Sequence, residues 1–348
     1  MTVWMVRAGK DGAQEELALK SGLAVTGWSE LPDLTAVKNR EELRKQLQIA
    51  YPDQKQKTLW NWENQLWPLR DTMQIGDLVV LPLKTRADIA IGKVTGPYQY
   101  RTDLPKGPYH VRPVQWLKEL PRHDFDQDLL YSLGAFMTVC RIERNDAEAR
   151  IKAMLEGNVL QPPVPVLSGQ AVGDGGSAVA TDATALPDLQ QQSEDLIRQR
   201  IAQRFKGHNL PYLVAAILAA QGYQVRTSSP GADGGVDITA GSGPLGFEAP
   251  RLIVQVKSQD EKVDVKVLRE LTGVMSKFKA DHALLIGWGG FTQPTLTEAA
   301  ADYFKVRLWD SADLVRAVQQ HYDRLPEAIR AEIPLKQVWV LVPAEEEA

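Results

Sequence analysis

At 348 residues, with 40 Lys and Arg against 44 Asp and Glu, the chain is mildly acidic and long enough for two or three domains. Its 44% hydrophobic content suffices for filled cores, no apolar run approaches the roughly 20 residues of a membrane span, and the start lacks the pattern of a secretion signal; a cytoplasmic protein with no membrane partner is expected. One cysteine, Cys140, and five histidines exclude an intrachain disulfide and a Cys- or His-rich metal cluster, and the charge balance excludes a non-specific nucleic-acid coat, so any DNA surface must be local.

In chain order, residues 1–7 read as a strand, 23–28 as a strand running into a loop, and 40–50 as a helix. Residues 58–67 form a second predicted helix, loaded with tryptophan. Residues 74–82 are a turn into a strand, 88–98 a strand with Gly92 where the backbone bends, and 111–117 another strand. The order of a tryptophan strand (Trp4), then Ile75-Gly76-Asp77-Leu78-Val79, Ile91-Gly92-Lys93-Val94 and Arg112-Pro113-Val114-Gln115-Trp116 resembles the EVE domains of the PUA-like superfamily. The resemblance implies a small β-barrel with helices over residues 1–155. It also implies a pocket that takes a modified base flipped out of the duplex. Such a base needs aromatic faces and hydrogen bonds to its edge, with stacking contributing about 1–3 kcal/mol per base. Candidate pocket residues are Trp28, Ser29, Trp60, Trp62 and Trp67, with Trp28 first because it stands at a strand-to-loop exit. Tryptophans at helical spacing are more often core than pocket residues, and Trp60 and Trp67, seven apart, share a face, so at least one is expected to pack inward.

Residues 156–189 are rich in Pro, Gly and Ala and read as a flexible linker. A helix over 190–205 follows, with Leu196, Ile197 and Ile201 at helical spacing as a packing or dimer element. The next helix, over 207–218, carries no carboxylate. Asn209 stands where it supplies either an oxygen ligand or an N-cap ahead of Pro211.

The most informative stretches come next: Gly231-Ala232-Asp233-Gly234-Gly235-Val236-Asp237 and Ile253-Val254-Gln255-Val256-Lys257. Gln255 and Lys257 share one face of a strand, because strand side chains alternate. If a hairpin with a loose loop over 240–250 pairs the two stretches, Asp237, the Gln255 amide oxygen and the Lys257 ammonium converge. A carboxylate and an amide oxygen are hard ligands for Mg²⁺, and a lysine can orient or deprotonate water. An amide and an ammonium among Ile253, Val254 and Val256 also need partners, since unpaired burial of an amide costs about 2–7 kcal/mol. Downstream, 263–279 reads as a helix, 283–286 as a strand, 289–292 as a loop, 295–304 as a helix and 306–309 as a strand; 338–342 reads as a last strand.

The segment 210–318 resembles the catalytic domain of Mrr-type restriction endonucleases, a branch of the PD-(D/E)xK nucleases whose mixed sheet is flanked by helices. The likeness rests on the glycine-rich turn ending in Asp237 and on the glutamine-x-lysine strand. It implies a catalytic domain over 190–343, followed by an acidic tail at 344–348. Asp237, Gln255 and Lys257 would then be catalytic, with Mg²⁺ (or Mn²⁺ in its place) on Asp237 and Gln255. The family commonly adds a glutamate on the preceding helix; here Asp233 or Asn209 would have to fill that place. Joined to a base reader, this describes a modification-dependent, type IV-like restriction endonuclease of prokaryotic antiviral defence. It would act as a homodimer on double-stranded DNA bearing modified bases such as cytosines. An inactive nuclease fold kept for DNA binding or regulation, an RNA-directed nuclease and a nucleotide-binding module stay open as alternatives. Against the last, no Gly-x-x-x-x-Gly-Lys phosphate loop is present.

Overall fold

The computed structural model describes residues 1–105, 107–158, 181, 188–228 and 235–339. They fall into two compact units, one reaching to Gln192 and the other spanning Ser193–Trp339. No helix among the described residues is long and apolar enough to cross a membrane.

The first unit contains β1 (Val3–Val6), α1 (Glu15–Ser21), β2 (Leu23–Thr26), α2 (Arg40–Ala50), α3 (Gln56–Trp67), β3 (Leu78–Pro82), β4 (Asp88–Val94), β5 (Gln99–Tyr100), β6 (His110–Pro121), α4 (Gln127–Leu133), β7 (Val139–Ile142) and α5 (Ala147–Leu155). Its strands form a curled half-barrel sheet in the order β2-β6-β4-β3-β1-β7, with β5 alongside β6. β1 and β3 run parallel and the other pairs antiparallel. The bend expected at Gly92 is a register shift between Ile91 and Gly92, where β4 meets the long β6. Asp77, in the turn before β3, ties the sheet together: its carboxylate accepts from Thr2 N, Gln74 N and Trp4 Nε1. Arg112 is buried, and its guanidinium donates to the carbonyls of Leu69, Arg70 and Met73, so the charge is surrounded by acceptors.

One sheet face packs Val3, Met5, Val80 and Ile91 against α4 and α5. The alternate residues Trp4, Val6 and Val79 enter a second cluster with Leu69 and Met73, as the period of two requires. A third cluster joins α2, α3 and the segment after β2. Asn39 caps α2 by accepting from Glu42 N.

Of the expected linker, residues 159–180 and 182–187 lie outside the described residues. Asp188 is anchored in the first unit: it accepts from Arg7 Nη1 at 3.0 Å, and its N–H donates to Gly134 O.

The second unit contains most of α6 (Leu189–Phe205), then α7 (Leu210–Ala220), β8 (Gln224–Thr227), β9 (Ile238–Ser242), β10 (Glu248–Lys257), α8 (Val265–Phe278), β11 (His282–Gly287), α9 (Gln293–Ala301), β12 (Val306–Trp309), α10 (Ser311–His321) and α11 (Glu327–Glu332). The sheet order is β12-β11-β10-β9-β8. β10, β11 and β12 are parallel, joined through α8 and α9, while β8, β9 and β10 form an antiparallel meander. Val254, Leu284 and Ile286 face a core with α7 and α10, which also takes Ile197 and Ile201 of α6 but leaves Leu196 exposed. Ile253, Ala283 and Leu285 face the other core, with Leu268, Leu271 and Ala299. The unit is thus the mixed sheet with flanking helices expected from the sequence.

Two expectations are corrected. The β9–β10 connection is shorter than the predicted loop over 240–250, because β9 runs on to Ser242 and β10 already starts at Glu248. Val338 and Trp339 are exposed and form no strand; residues 340–342 of that predicted strand, and the acidic tail, lie outside the described residues. Gly273, inside α8, is exposed, and a Cβ there would meet nothing within 4 Å. Gly273→Ala is therefore expected to stabilise the protein by about 0.5–1 kcal/mol, checked by denaturant titration.

Candidate active site

The pairing of β9 with β10 assembles the site. Val254 lies opposite Ile238, which brings Asp237, the residue just before β9, level with the far end of β10. Two hydrogen bonds hold it there. Asp237 N donates to Val254 O at 2.8 Å, and Val256 N donates to Asp237 Oδ2 at 2.6 Å. The carboxylate thus takes the place of a ladder partner for Val256, leaving Oδ1 for another ligand.

Gln255 and Lys257 continue the row of Ile253 along β10. Lys257 is half-buried at the strand's end, opposite Gly287 of β11. Gln255 is 6% exposed, and its Oε1 is buried with no hydrogen-bond partner among the described residues. An orphaned amide oxygen costs desolvation energy without return, so this atom fits a ligand for a hard cation. Burial pushes the Asp237 carboxyl above its ordinary value, while the Val256 N–H and the nearby Lys257 ammonium pull it back down.

Gly235 approaches the Gln255 amide closely. Its φ is +84°, and a Cβ there would stand 2.8 Å from Gln255 Nε2. Glycine serves both needs, left-handed backbone and close approach. Gly235→Ala should cost about 1–2 kcal/mol from the backbone alone. It should also displace the Gln255 amide, read as a smaller rise in Tm on adding Mg²⁺ than the unaltered protein shows.

The other sequence-predicted ligands are Asn209 and Asp233. Asn209 occupies the N-cap position of α7, with Pro211 in the first turn, but it is exposed and its side chain makes no capping bond. Asp233 and the turn 231–234 lie outside the described residues. α7 carries no carboxylate, and among the described residues no three His, Cys, Asp or Glu side chains gather as a metal-binding group.

In the first unit the tryptophans part company. Trp28 is only 1% exposed, its φ is +61°, and it meets Trp62 edge to face at 6.4 Å. Tyr51 packs on Trp62 at 4.9 Å. Trp28 stands at the strand-to-loop exit read from the sequence, but its left-handed backbone turns the indole inward, and Trp28 and Trp62 pack in the core with α2 and α3. Trp67 borders the same cluster, with the Arg40 guanidinium 5.8 Å from its ring. Trp60 is 47% exposed, and Ser29 is exposed beside Glu30. The five residues do not line one opening. Sequence reasoning also missed the neighbouring aromatics, where Tyr98 Oη lies 2.8 Å from His110 Nδ1 and Tyr100 packs on His110. Their signal was the closely spaced Tyr98, Tyr100, Tyr109 and His110.

Comparison with known proteins bears on the two units separately. Residues 4–142 match a domain family of unknown function, DUF8426. No curated protein matches the chain. Among solved structures, the chain is similar to the DNA modification-dependent restriction endonuclease AspBHI, with 15% identity and a TM-score of 0.33, over 95% of this chain and 84% of that one. It is similar to the MspJI restriction endonuclease in complex with a 27-mer oligonucleotide, with 14% identity and a TM-score of 0.31, over 95% and 71%. It is also similar to AF1548, a protein of unknown function, with 14% identity and a TM-score of 0.24; 29% of this chain covers just over half, 56%, of that one. The segment holding Asp237, Gln255 and Lys257, residues 202–318, matches the restriction-endonuclease family model Mrr_cat, and so carries a restriction-endonuclease domain of that type.

Proposed function

We propose that the protein is a modification-dependent restriction endonuclease that hydrolyses DNA phosphodiester bonds near modified bases, acting not as a general nuclease but at sites its first unit selects. The observation that supports this most is the grouping at one end of β10, inside the matched segment, of Asp237, Lys257 and a Gln255 Oε1 that has no partner among the described residues. Asp237 Oδ1 and Gln255 Oε1 would hold Mg²⁺, or Mn²⁺ in its place, and the bound cation would supply charge stabilisation at the scissile phosphate. Asp237 is itself held by the Val256 N–H, so its carboxylate stays oriented. Lys257 would orient the attacking water through Nζ and keep the carboxylate ionised beside it. The first unit would supply the reader, with cytosine modifications the proposed target. Since both strands must be cut, a homodimer follows from the need for two such sites.

A second reading, a nuclease fold retained for binding, is favoured by the absence of a carboxylate on α7. One digest separates the two. Matched duplexes bearing unmodified, methylated, hydroxymethylated or glucosylated cytosines are incubated with Mg²⁺ or EDTA. Metal-dependent cleavage of a modified duplex alone supports the proposal; binding without cleavage under every condition supports the second reading.

A further inference from the structure

The β11–α9 turn, residues 287–292, grips the chain that follows Gln255 and Lys257. Trp288 N donates to Lys257 O at 2.9 Å, and Gly289 N donates to Gln259 O at 3.1 Å. Val263 is held from both sides: its N–H donates to Gly290 O at 2.9 Å, and its carbonyl accepts from Thr292 N at 3.1 Å and Thr295 Oγ1 at 2.9 Å. Trp288 and Thr295 are both buried, so the grip is anchored in packed structure. On its other side the gripped loop is tied by the Lys206–Asp260 ion pair, at 2.5 Å.

The closest approach falls at Gly289. A Cβ there would lie 1.9 Å from Asp260 O, 2.3 Å from Asp260 C and 2.8 Å from Glu261 O. All three atoms are backbone, so no side chain can swing aside to make room. Any residue other than glycine must push the 258–262 loop away, and that loop continues directly from Lys257. From this geometry we infer that Gly289 is a positioning residue for Lys257: its missing side chain sets where the end of β10, and with it the lysine amine, is held. This inference rests on the nuclease reading only for its catalytic consequence; the placement of Lys257 stands on the backbone contacts.

The test uses full-length protein, Gly289→Ala and two readouts. The first is steady-state cleavage of a modified duplex with Mg²⁺. A displacement near 1 Å at a reacting group can cost about 10²-fold in rate, so kcat should fall by about that factor while KM stays within about twofold. The second is metal-free acylation of lysines by a small activated ester, followed by peptide mass spectrometry with Lys305 as internal reference. The Lys257-to-Lys305 labelling ratio should change several-fold. A variant with unaltered kcat and an unaltered ratio overturns the inference, as does an equal loss in kcat and KM with an unaltered ratio. If the unaltered protein cuts no duplex, the nuclease reading fails, and the labelling ratio alone decides whether Gly289 positions Lys257. Should Gly289→Ala not fold, Thr295→Val takes its place. It removes one buried hydrogen bond to Val263 O, and should shift both readouts in the same direction by about 3- to 10-fold.

Discussion

Lys257→Met is expected to lower the cleavage rate by about 10²- to 10⁴-fold, the range spanned by a positioned proton-transfer group. Methionine keeps the length and apolar stem of lysine but loses the ammonium, so the strand end should pack as before. Binding of the duplex should weaken little, because one phosphate-range charge among many changes affinity modestly. The discriminating measurement is single-turnover cleavage set beside DNA binding by fluorescence anisotropy. A rate within about threefold of the unaltered protein would remove Lys257 from the chemistry and leave the domain match without its proposed mechanism.

Asp237→Asn should move stability and activity in opposite directions. Cleavage should fall by a factor comparable to that for Lys257→Met, since a neutral amide is a poorer ligand for a hard cation. Stability should rise. The folded carboxyl ionises above its ordinary value, chiefly because it is buried. Below the unfolded chain's ordinary value both states are protonated, and stability is undiminished. As the pH climbs through the folded value, the folded state must give up a proton it holds more tightly than the unfolded chain does, and stability is lost. At about pH 7 the unaltered protein therefore carries the whole cost, and asparagine carries none while still accepting from the Val256 N–H. The Tm of Asp237→Asn should exceed that of the unaltered protein near neutrality, each kcal/mol reading as about 2–4 °C for a unit of this size. The gap should close as the pH is lowered through the carboxylate range. Adding Mg²⁺ should raise the Tm of the unaltered protein and narrow the gap from the other side. Scanning calorimetry across pH, with and without Mg²⁺, checks both. A variant less stable than its parent at neutral pH would show that the carboxylate serves the fold rather than a ligand.

Much of this was legible in the amino-acid order because the signals were local. α2 lies where the periodicity of residues 40–50 placed it, and β12 where residues 306–309 read as a strand. The pairing of Asp237 with the Gln255–Lys257 strand followed from alternation and a turn, both short-range rules. What escaped depends on distant contacts. β8 is a polar, mostly exposed strand at the sheet edge, and no apolar alternation marks it. Trp28 reads as a loop-exit aromatic until its left-handed backbone and the packing of α3 turn it inward. The requirement at Gly289 comes from a carbonyl of residue 260, which no local pattern announces. Glu248 and Pro250 resemble loop residues, yet both lie in β10: Glu248 pairs with Ser242 of β9 across the hairpin, and Pro250 falls in the register shift that follows.

The middle place of β10, between β9 and β11, has a consequence for how the protein can evolve and fail. Opening motions start at edges and ends, so amides of the innermost strand are expected to exchange with deuterium only through near-global unfolding of this unit. The trio proposed to act on the phosphodiester is therefore about as durable as the fold that carries it. Heat or denaturant should abolish chemistry and structure in one transition, with no inactive yet folded stage between them.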